Sequence, residues 1–276
     1  MDNEAIVVAI ASNKGGVGKT TSVMHTAMAL SHYGHRVLVV DADPQATLSE
    51  TLVPTTAFAI ADDPDAGLAG LIRGSAPAPA VIARHPEGEG GTVSLSVDVI
   101  PANESIVAAI EIGPEAQRNA LIANRLFELR PLYGFIIIDV GPTLSRLQIA
   151  SLAAADLVLT PIKCDDAAFR AHQRFLRRID EARAVNPRLF LWGILPTFYD
   201  GRHLNDRDVL DQIRTQHHSG PEIVFDPVPE STDFERAIGV REMLINRMGA
   251  DRRRRAAPYM AVAEALVRHA GVREVA

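Results

Sequence analysis

Short apolar runs alternate with longer stretches of helical spacing along most of the chain. The runs are rich in Val, Ile and Leu without polar alternation, which is typical of parallel strands covered on both faces. They predict strands at residues 6–11, 37–40, 135–138, 157–161 and 189–195. Amphipathic spacing predicts helices at residues 20–33, 114–129, 166–184, 205–215 and 256–269. This alternation predicts an α/β fold with a doubly wound, mainly parallel β-sheet flanked by helices.

The length of 276 residues and the 47% hydrophobic content allow one sizeable core, so we expect a single domain over residues 1–276. Residues 73–92 are rich in Pro, Gly and Ala and interrupt the pattern, which predicts a surface loop. Cys164 is the only cysteine, so one chain can form neither a disulfide nor an iron–sulfur ligand set. No apolar stretch reaches the roughly 20 residues that cross a bilayer, and we expect a soluble, cytoplasmic protein.

A glycine-rich segment, KGGVGKTT at residues 14–21, follows the first predicted strand and leads into the first predicted helix. Glycines let backbone N–H groups turn toward a phosphate, and the helix N-terminus adds a favourable dipole. We expect Lys19 to reach the β and γ phosphates and the Thr20 hydroxyl to ligate Mg²⁺. The segment therefore predicts a site for a nucleoside triphosphate, formed by Lys14, Gly15, Gly16, Val17, Gly18, Lys19, Thr20 and Thr21.

Two predicted strands end in aspartates, with Asp41 and Asp43 after residues 37–40 and Asp139 after residues 135–138. The carboxyl ends of parallel strands meet at one edge of a sheet, beside the predicted phosphate site. Phosphoryl transfer needs a metal near the β and γ oxygens and a group that positions the attacking water. Asp139 suits the metal, through a bound water. Asp43 suits the attacking water and could also reach the metal through water. Asp41 could join Asp43 in a switch segment or only cap the strand.

These motifs resemble those of the ParA/MinD family of deviant Walker A ATPases. The general phosphate-loop pattern asks for Gly where this chain has Asn13, but KGGVGKTT matches the family's deviant form. DADPQ at residues 41–45 resembles the family's first switch, and IIIDVGP at residues 136–142 resembles its Walker B strand, with Gly141 where the family usually has Pro. The resemblance covers nearly the whole chain and implies a P-loop NTPase fold with ATP and Mg²⁺ as cofactors.

The resemblance also implies an enzymatic cycle. ATP would favour a homodimer in which Lys14 crosses the interface to the partner's nucleotide. Hydrolysis would be slow, would depend on Lys14, Lys19 and Asp43, and would be stimulated by a ParB-like protein. Phe198 and Pro229 would border the adenine.

The relatives that this chain resembles most are Soj-like partition ATPases, which bind DNA non-specifically in the ATP state. The phosphate loop starts near residue 14, so we expect no N-terminal helix-turn-helix domain. The final residues lack Phe, Trp and Lys, so we expect no membrane-binding amphipathic helix and a nucleoid-associated location instead. With a net charge of −6, DNA contacts must be local. The candidates are Arg170, Arg174, Arg177 and Arg178 on one predicted helix, and Arg241, Arg247, Arg252, Arg253, Arg254 and Arg255.

Two other functions share the same motifs. One is an ATPase that positions a protein cargo on the nucleoid. The other is a metabolic ATP-dependent enzyme such as a ligase or an iron–sulfur reductase, although the lone Cys164 argues against the reductase. We expect Trp192 to lie in the core, Cys164 to pack near the nucleotide without reacting, and His217 and His218 to lie on the surface.

Overall fold

The computed structural model describes residues 4–84, 97–234 and 250–275. One eight-stranded sheet runs through these residues in the order β3-β4-β2-β5-β1-β6-β7-β8. All neighbouring strands are parallel except β3, which pairs antiparallel with β4 at one edge. The strands are β1 (Ile6–Ile10), β2 (Val37–Ala42), β3 (Ala83–Arg84), β4 (Val97–Ile100), β5 (Phe135–Val140), β6 (Leu157–Lys163), β7 (Phe190–Thr197) and β8 (Ile223–Val224). The predicted fold class is confirmed.

Helices cover both faces of the sheet. They are α1 (Lys19–His32), α2 (Thr47–Leu52), α3 (Pro54–Ile60), α4 (Gly67–Arg73), α5 (Ala78–Val81), α6 (Ile106–Ala109), α7 (Glu115–Arg118), α8 (Leu121–Phe127), α9 (Arg146–Ala153), α10 (Asp166–Arg183), α11 (Leu204–Gln216) and α12 (Ala250–Val275). No helix within these described stretches is long and apolar enough to cross a membrane.

Alternate residues of the central strands enter different halves of the core. Val7 and Ala9 of β1 pack with α4, α8, α9 and α10, whereas Val8 and Ile10 pack with α1, α2 and α12. Because both faces are covered, every position of β1 is buried. This double burial explains why the strands appear in the sequence as unbroken apolar runs.

The predicted helix at 114–129 is two helices, α7 and α8, separated at residues 119–120. Helix α8 buries Ile122 and Leu126, whereas α7 buries none of its residues. The core therefore fixes the direction of α8 alone, and the chain is free to bend before it.

The predicted surface loop at 73–92 is regular in its first part. Helix α5 buries Ala78 and Val81, and β3 pairs with β4 through Ala83 and Val99. Pro, Gly and Ala suggested an irregular segment, but the apolar residues among them find places in the core and at the sheet edge. Residues 85–92 lie outside the described residues.

Candidate nucleotide site

A cavity of about 360 Å³ lies at the carboxyl edge of the sheet. We divide its lining into two halves. The loop half comprises Gly15, Gly16, Gly18, Lys19, Thr20, Thr21, Asp43, Gln45, Thr47 and Pro142. The aromatic half comprises Thr197, Phe198, Val228, Pro229, Ser231, Phe234 and Tyr259. Phe198 and Pro229, which the family resemblance assigned to the base, thus line the same cavity as the glycine-rich loop.

The glycine-rich loop has the backbone that its sequence predicts. Gly16 and Gly18 have φ of 70° and 81°, the left-handed region that favours glycine, and α1 begins directly after Gly18. Lys19 is only 7% exposed, and its Nζ donates to the carbonyl oxygen of Lys14 at 3.3 Å. Burial lowers the pKa of Lys19, while the charges of Asp139 and Asp43 oppose that shift. Val17, which the sequence placed in the site, is 1% exposed and is not among the residues that line the cavity.

Thr20 and Asp139 form a pair beneath the loop. Thr20 Oγ1 donates to Asp139 Oδ2 at 2.8 Å, and Asp139 Oδ1 is buried with no hydrogen-bond partner among the described residues. Burial raises the pKa of Asp139, and the neighbouring charge of Asp41 raises it further. A hydroxyl and a carboxylate oxygen are ligands that Mg²⁺ takes, and a cation would satisfy the unpaired oxygen. Both residues therefore fit a Mg²⁺ ion.

Asp41 holds the end of β2 in place. It is fully buried and accepts hydrogen bonds from Ser49 N at 2.9 Å, Ser49 Oγ at 2.6 Å and Asp43 N at 3.1 Å. Ser49 Oγ in turn accepts from Ala102 N at 2.9 Å. Asp41 thus connects the end of β2 to Ser49 of α2 and, through Ser49, to the backbone at Ala102. It does not line the cavity, so its role is to hold these segments together.

Asp43, two residues later, does line the cavity. Its Oδ1 accepts the Gln45 N–H at 3.1 Å. The carboxylate lies against Gly141, where an added Cβ would stand 3.2 to 3.4 Å from its atoms. The absence of a side chain at this position, where the family usually has Pro, allows that close approach.

Lys14 binds Asp165, a contact that the sequence did not predict. Its Nζ donates to Asp165 Oδ1 at 2.7 Å and to Oδ2 at 3.0 Å. Asp165 also caps α10 by accepting the Ala168 N–H at 2.7 Å. An Asp before a helix suggests the cap, but no sequence signal joins residues 151 positions apart.

The aromatic half starts at the end of β7. Phe198 has φ of 52°, a conformation that bulky residues rarely adopt, and Lys163 Nζ lies 5.3 Å from the centre of its ring. Thr197 Oγ1 donates to the Val17 carbonyl oxygen at 2.9 Å, which joins this half to the loop half. Backbone strain of this kind concentrates at ligand-binding sites.

Three rings pack behind this half. His25 of α1 stacks on Tyr259 of α12 with ring centroids 5.0 Å apart, and Phe234 packs edge-on against both. Burial lowers the pKa of His25 to about 4, so the imidazole is neutral in the folded protein. Ser231, Phe234 and Tyr259 were not predicted from the sequence, because residues 231–234 and α12 lie far apart in the chain and meet only in the folded protein.

The arginines proposed to contact DNA are of two kinds: some are exposed, and others are held by contacts within the protein. On α10, Arg170, Arg174 and Arg177 are exposed and form no ion pair within the described parts of the chain. Arg178 instead donates to the Ser145 carbonyl oxygen at 3.1 Å and to Gln148 Oε1 at 3.2 Å, and it pairs with Glu181. The assignment of Arg178 to a DNA-facing stripe is wrong, because its position round the helix directs it toward α9.

The second group, between residues 241 and 255, also contains one exposed and one internally bound arginine among its described side chains. Arg254 is exposed and pairs with Asp251 at 3.1 Å. Arg255 donates to Ser231 Oγ at 3.1 Å and pairs with Asp233, so it contacts the wall of the cavity. Arg241 and Arg247 lie outside the described residues, as do the side chains of Arg252 and Arg253.

The placement of His217 on the surface is also wrong. It is 5% exposed, its Nε2 lies 3.0 Å from His172 Nε2, and its Nδ1 faces Glu222. The polar sequence around it gave no sign that His172 of α10 would cover it. His218 is exposed and Trp192 is buried, as predicted. Cys164 is also buried, but it does not line the cavity.

Comparisons with known proteins agree with this geometry. A family model described as an AAA domain matches residues 5–190. The chromosome partitioning protein ParA of Caulobacter vibrioides is 31% identical over 85% of this chain and 84% of its own. The chromosome-partitioning ATPase Soj of Thermus thermophilus is 32% identical over 83% of each chain.

A crystal structure of a Mycobacterium smegmatis protein named cobyrinic acid a,c-diamide synthase, with a bound ATP analogue and magnesium, superposes with a TM-score of 0.76. It is 29% identical and covers 96% of this chain and 95% of its own. The phosphate loop, the Thr20–Asp139 pair and these relatives lead to one conclusion. The chain belongs to the ParA/MinD family of ATPases, and its cofactors are ATP and Mg²⁺.

Proposed function

We propose that this ATPase is a DNA partition switch that dimerises with ATP, attaches to DNA without sequence preference and detaches after hydrolysis. The observation that carries the proposal is the stripe of α10 arginines that form no ion pair among the described residues. The N-cap of the same helix, Asp165, also binds Lys14. The partition roles named for the Caulobacter and Thermus relatives support it.

In the loop half, the roles follow from position. Backbone N–H groups of residues 15–21 would surround the phosphates, and Lys19 would reach the β and γ oxygens from its buried position. Thr20 and Asp139 would hold Mg²⁺, Asp139 through a water, and the ion would offset charge on the phosphates. In the aromatic half, Phe198 and Pro229 would border the adenine.

Lys14 is proposed to act on the nucleotide of a second copy. In the single chain its ammonium rests on Asp165, and the residues lining its own cavity begin with Gly15. The pair is about one-third exposed, so its free energy is modest and a phosphate of a partner could replace the carboxylate.

Asp43 is proposed to position the attacking water. Its carboxylate lines the cavity, and its attachment to β2 through Asp41 places it beside the end of β5, near Asp139. Asp43→Ala should keep ATP binding and ATP-dependent dimerisation and lower hydrolysis by about a hundredfold. Phosphate release and light scattering would measure the two effects. Normal hydrolysis by this variant would remove Asp43 from the mechanism.

The stripe on α10 would contact DNA phosphates. Arg170, Arg174 and Arg177 are spaced by four and three residues, which places them on one face of the helix. Because phosphate contacts carry no sequence information, such a surface gives non-specific binding that weakens with salt. ParB-like stimulation and nucleoid association would follow from the same cycle.

The deciding experiment is binding to non-specific duplex DNA with ATP, ADP or no nucleotide, over a salt series. We expect salt-sensitive binding that requires ATP, and a triple Arg170/Arg174/Arg177→Ala variant should reduce the salt slope by about 0.9 for each lost contact. Arg183→Ala is the matched control, because that arginine of α10 pairs with Asp180 and donates to the Leu189 carbonyl oxygen. An absence of binding in every state would reject the DNA proposal, and with it a cargo role on the nucleoid, and would favour a metabolic role.

A metabolic ATP-dependent enzyme is the second candidate, favoured by the name of the Mycobacterium smegmatis protein. The two candidates differ in what stimulates turnover. A partition switch should hydrolyse ATP faster with DNA and its partner protein, whereas a ligase should require a small carboxylic acid and an amine donor.

A further inference from the structure

The wall formed by residues 228–234 closes the aromatic half. Its first part is fixed by backbone hydrogen bonds to the end of β7: Val228 N donates to Pro196 O at 2.9 Å, and Glu230 N donates to Tyr199 O at 3.2 Å. The described backbone bonds of residues 231–234 are local, such as Phe234 N to Ser231 O at 3.4 Å. The position of Ser231 and Phe234 therefore depends on side chains.

Arg255 supplies a side-chain attachment from α12. Its guanidinium donates to Ser231 Oγ at 3.1 Å and pairs with the carboxylate of Asp233, whose side chain is only 11% exposed. A planar guanidinium can hold two acceptors at once in a fixed geometry. An ion pair with one largely buried member is also screened less than a surface pair. This contact holds the wall more firmly than a rim salt bridge would.

The same face of α12 holds the wall at a second point. Tyr259 lies one turn after Arg255, is 1% exposed and lines the cavity. Its ring packs against Phe234 at 5.6 Å and stacks on His25 of α1. Arg255 and Tyr259 together fix both ends of the segment that carries Ser231 and Phe234.

We propose that Arg255 is a positioning residue of the nucleotide pocket, which attaches the wall to α12 so that the aromatic half is shaped to receive the base and sugar. The inference rests on the proposed placement of the base in that half. The proposal also means that Arg255 is not a DNA-contacting residue, although Arg255 is adjacent in sequence to the exposed Arg254.

Arg255→Ala tests the proposal through calorimetric titration of ATP, ADP and inorganic tripolyphosphate, each with Mg²⁺. We expect ATP and ADP to bind about tenfold more weakly and by similar factors, because both carry the base. Tripolyphosphate should bind as it does to the unmodified protein, because the loop half keeps all its contacts. Arg254→Ala is the matched control: its side chain is 82% exposed, and we expect no change in nucleotide affinity.

A double-mutant cycle separates positioning from general destabilisation. Asp233→Ala removes one of the two Arg255 contacts and should lose part of the affinity. The double variant should lose little more than Arg255→Ala alone, because that variant already lacks the Arg255–Asp233 contact. Ser231→Ala removes only one hydrogen bond and should cost about two- to threefold in ATP affinity. This milder variant keeps the test usable if Arg255→Ala folds poorly.

Three results would overturn the inference: unchanged ATP and ADP affinity in Arg255→Ala, an equal loss of tripolyphosphate binding, or additive losses in the cycle. If the unmodified protein bound tripolyphosphate as tightly as ATP, the base would contribute no affinity. The placement of the base in the aromatic half would then be wrong instead. The two failures are thus distinguishable.

Discussion

The two halves of the cavity are built differently. Six of the ten residues in the loop half come from residues 15–21, one continuous strand-to-helix turn. The aromatic half combines residues 197–198, 228–234 and 259, which meet only in the folded chain. A turn of glycines determines its own geometry, whereas the aromatic half depends on the packing of α1, β7 and α12. Substitutions in the loop half should therefore remove direct contacts with the phosphates. Substitutions in the aromatic half should change the shape of the surface that receives the base.

Lys19→Ala should have the largest effect. Removal of a buried ammonium that reaches the phosphates should weaken ATP, ADP and tripolyphosphate alike, by on the order of a hundredfold or more. Calorimetric titration measures all three ligands. Lys14→Ala is the comparison, because its ammonium rests on Asp165 and its loss should leave binding to the single chain intact. Equal losses in both variants would contradict the assignment of separate roles.

Phe198→Ala should have a smaller and more selective effect. Loss of the ring should weaken ATP by about tenfold and leave tripolyphosphate unchanged, because only the base contacts the aromatic half. Phe198→Gly adds a second readout. Glycine adopts a φ of 52° without strain, so this variant should be more stable than Phe198→Ala by roughly 1 kcal/mol in urea unfolding, yet bind ATP no better. Tighter ATP binding by the glycine variant would place the base elsewhere.

The smallest effect concerns His25, which packs behind both halves. Burial lowers its folded pKa to about 4, whereas the unfolded chain titrates near 6.5. The unfolded state therefore binds more protons below pH 6.5, and the free energy of unfolding falls as the pH drops. Between pH 7.5 and 5.5 the unmodified protein should lose about 1 kcal/mol more than His25→Phe.

Urea unfolding at both pH values measures that difference. His218→Asn is the control, because it replaces an exposed histidine instead of a buried one. A His25→Phe variant with the same pH dependence as the unmodified protein would show that the imidazole is not buried in its neutral form.

The comparison also explains what the sequence could predict. The strands, the phosphate loop and the carboxylates at strand ends were accessible, because each follows from residues adjacent in the chain. Phe198 and Pro229 were reached only through resemblance to a family, and Ser231, Phe234 and Tyr259 were not reached. Their role depends on where α12 packs, and no pattern in the sequence encodes that position.

The arginines and histidines show the same limit. Helical spacing put Arg174 and Arg178 in one stripe, but only the neighbouring α9 decides that Arg178 donates to Ser145 and Gln148. A polar stretch suggested that His217 is exposed, yet α10 covers it. In both cases an adjacent helix, and not the local sequence, decides what a charged or polar side chain can contact.

The hydrogen bonds of Asp41 have a mechanical consequence. Since Asp41 binds the backbone and the hydroxyl of Ser49, residues 42–48, which run from the end of β2 into the first turn of α2, form a segment closed at its base by one buried carboxylate. Asp43, Gln45 and Thr47, the cavity residues on that segment, can move only within the short reach of the chain from this base. Rearrangement around a ligand is thereby confined to residues 42–48, while the rest of β2 and the far end of α2 keep their positions.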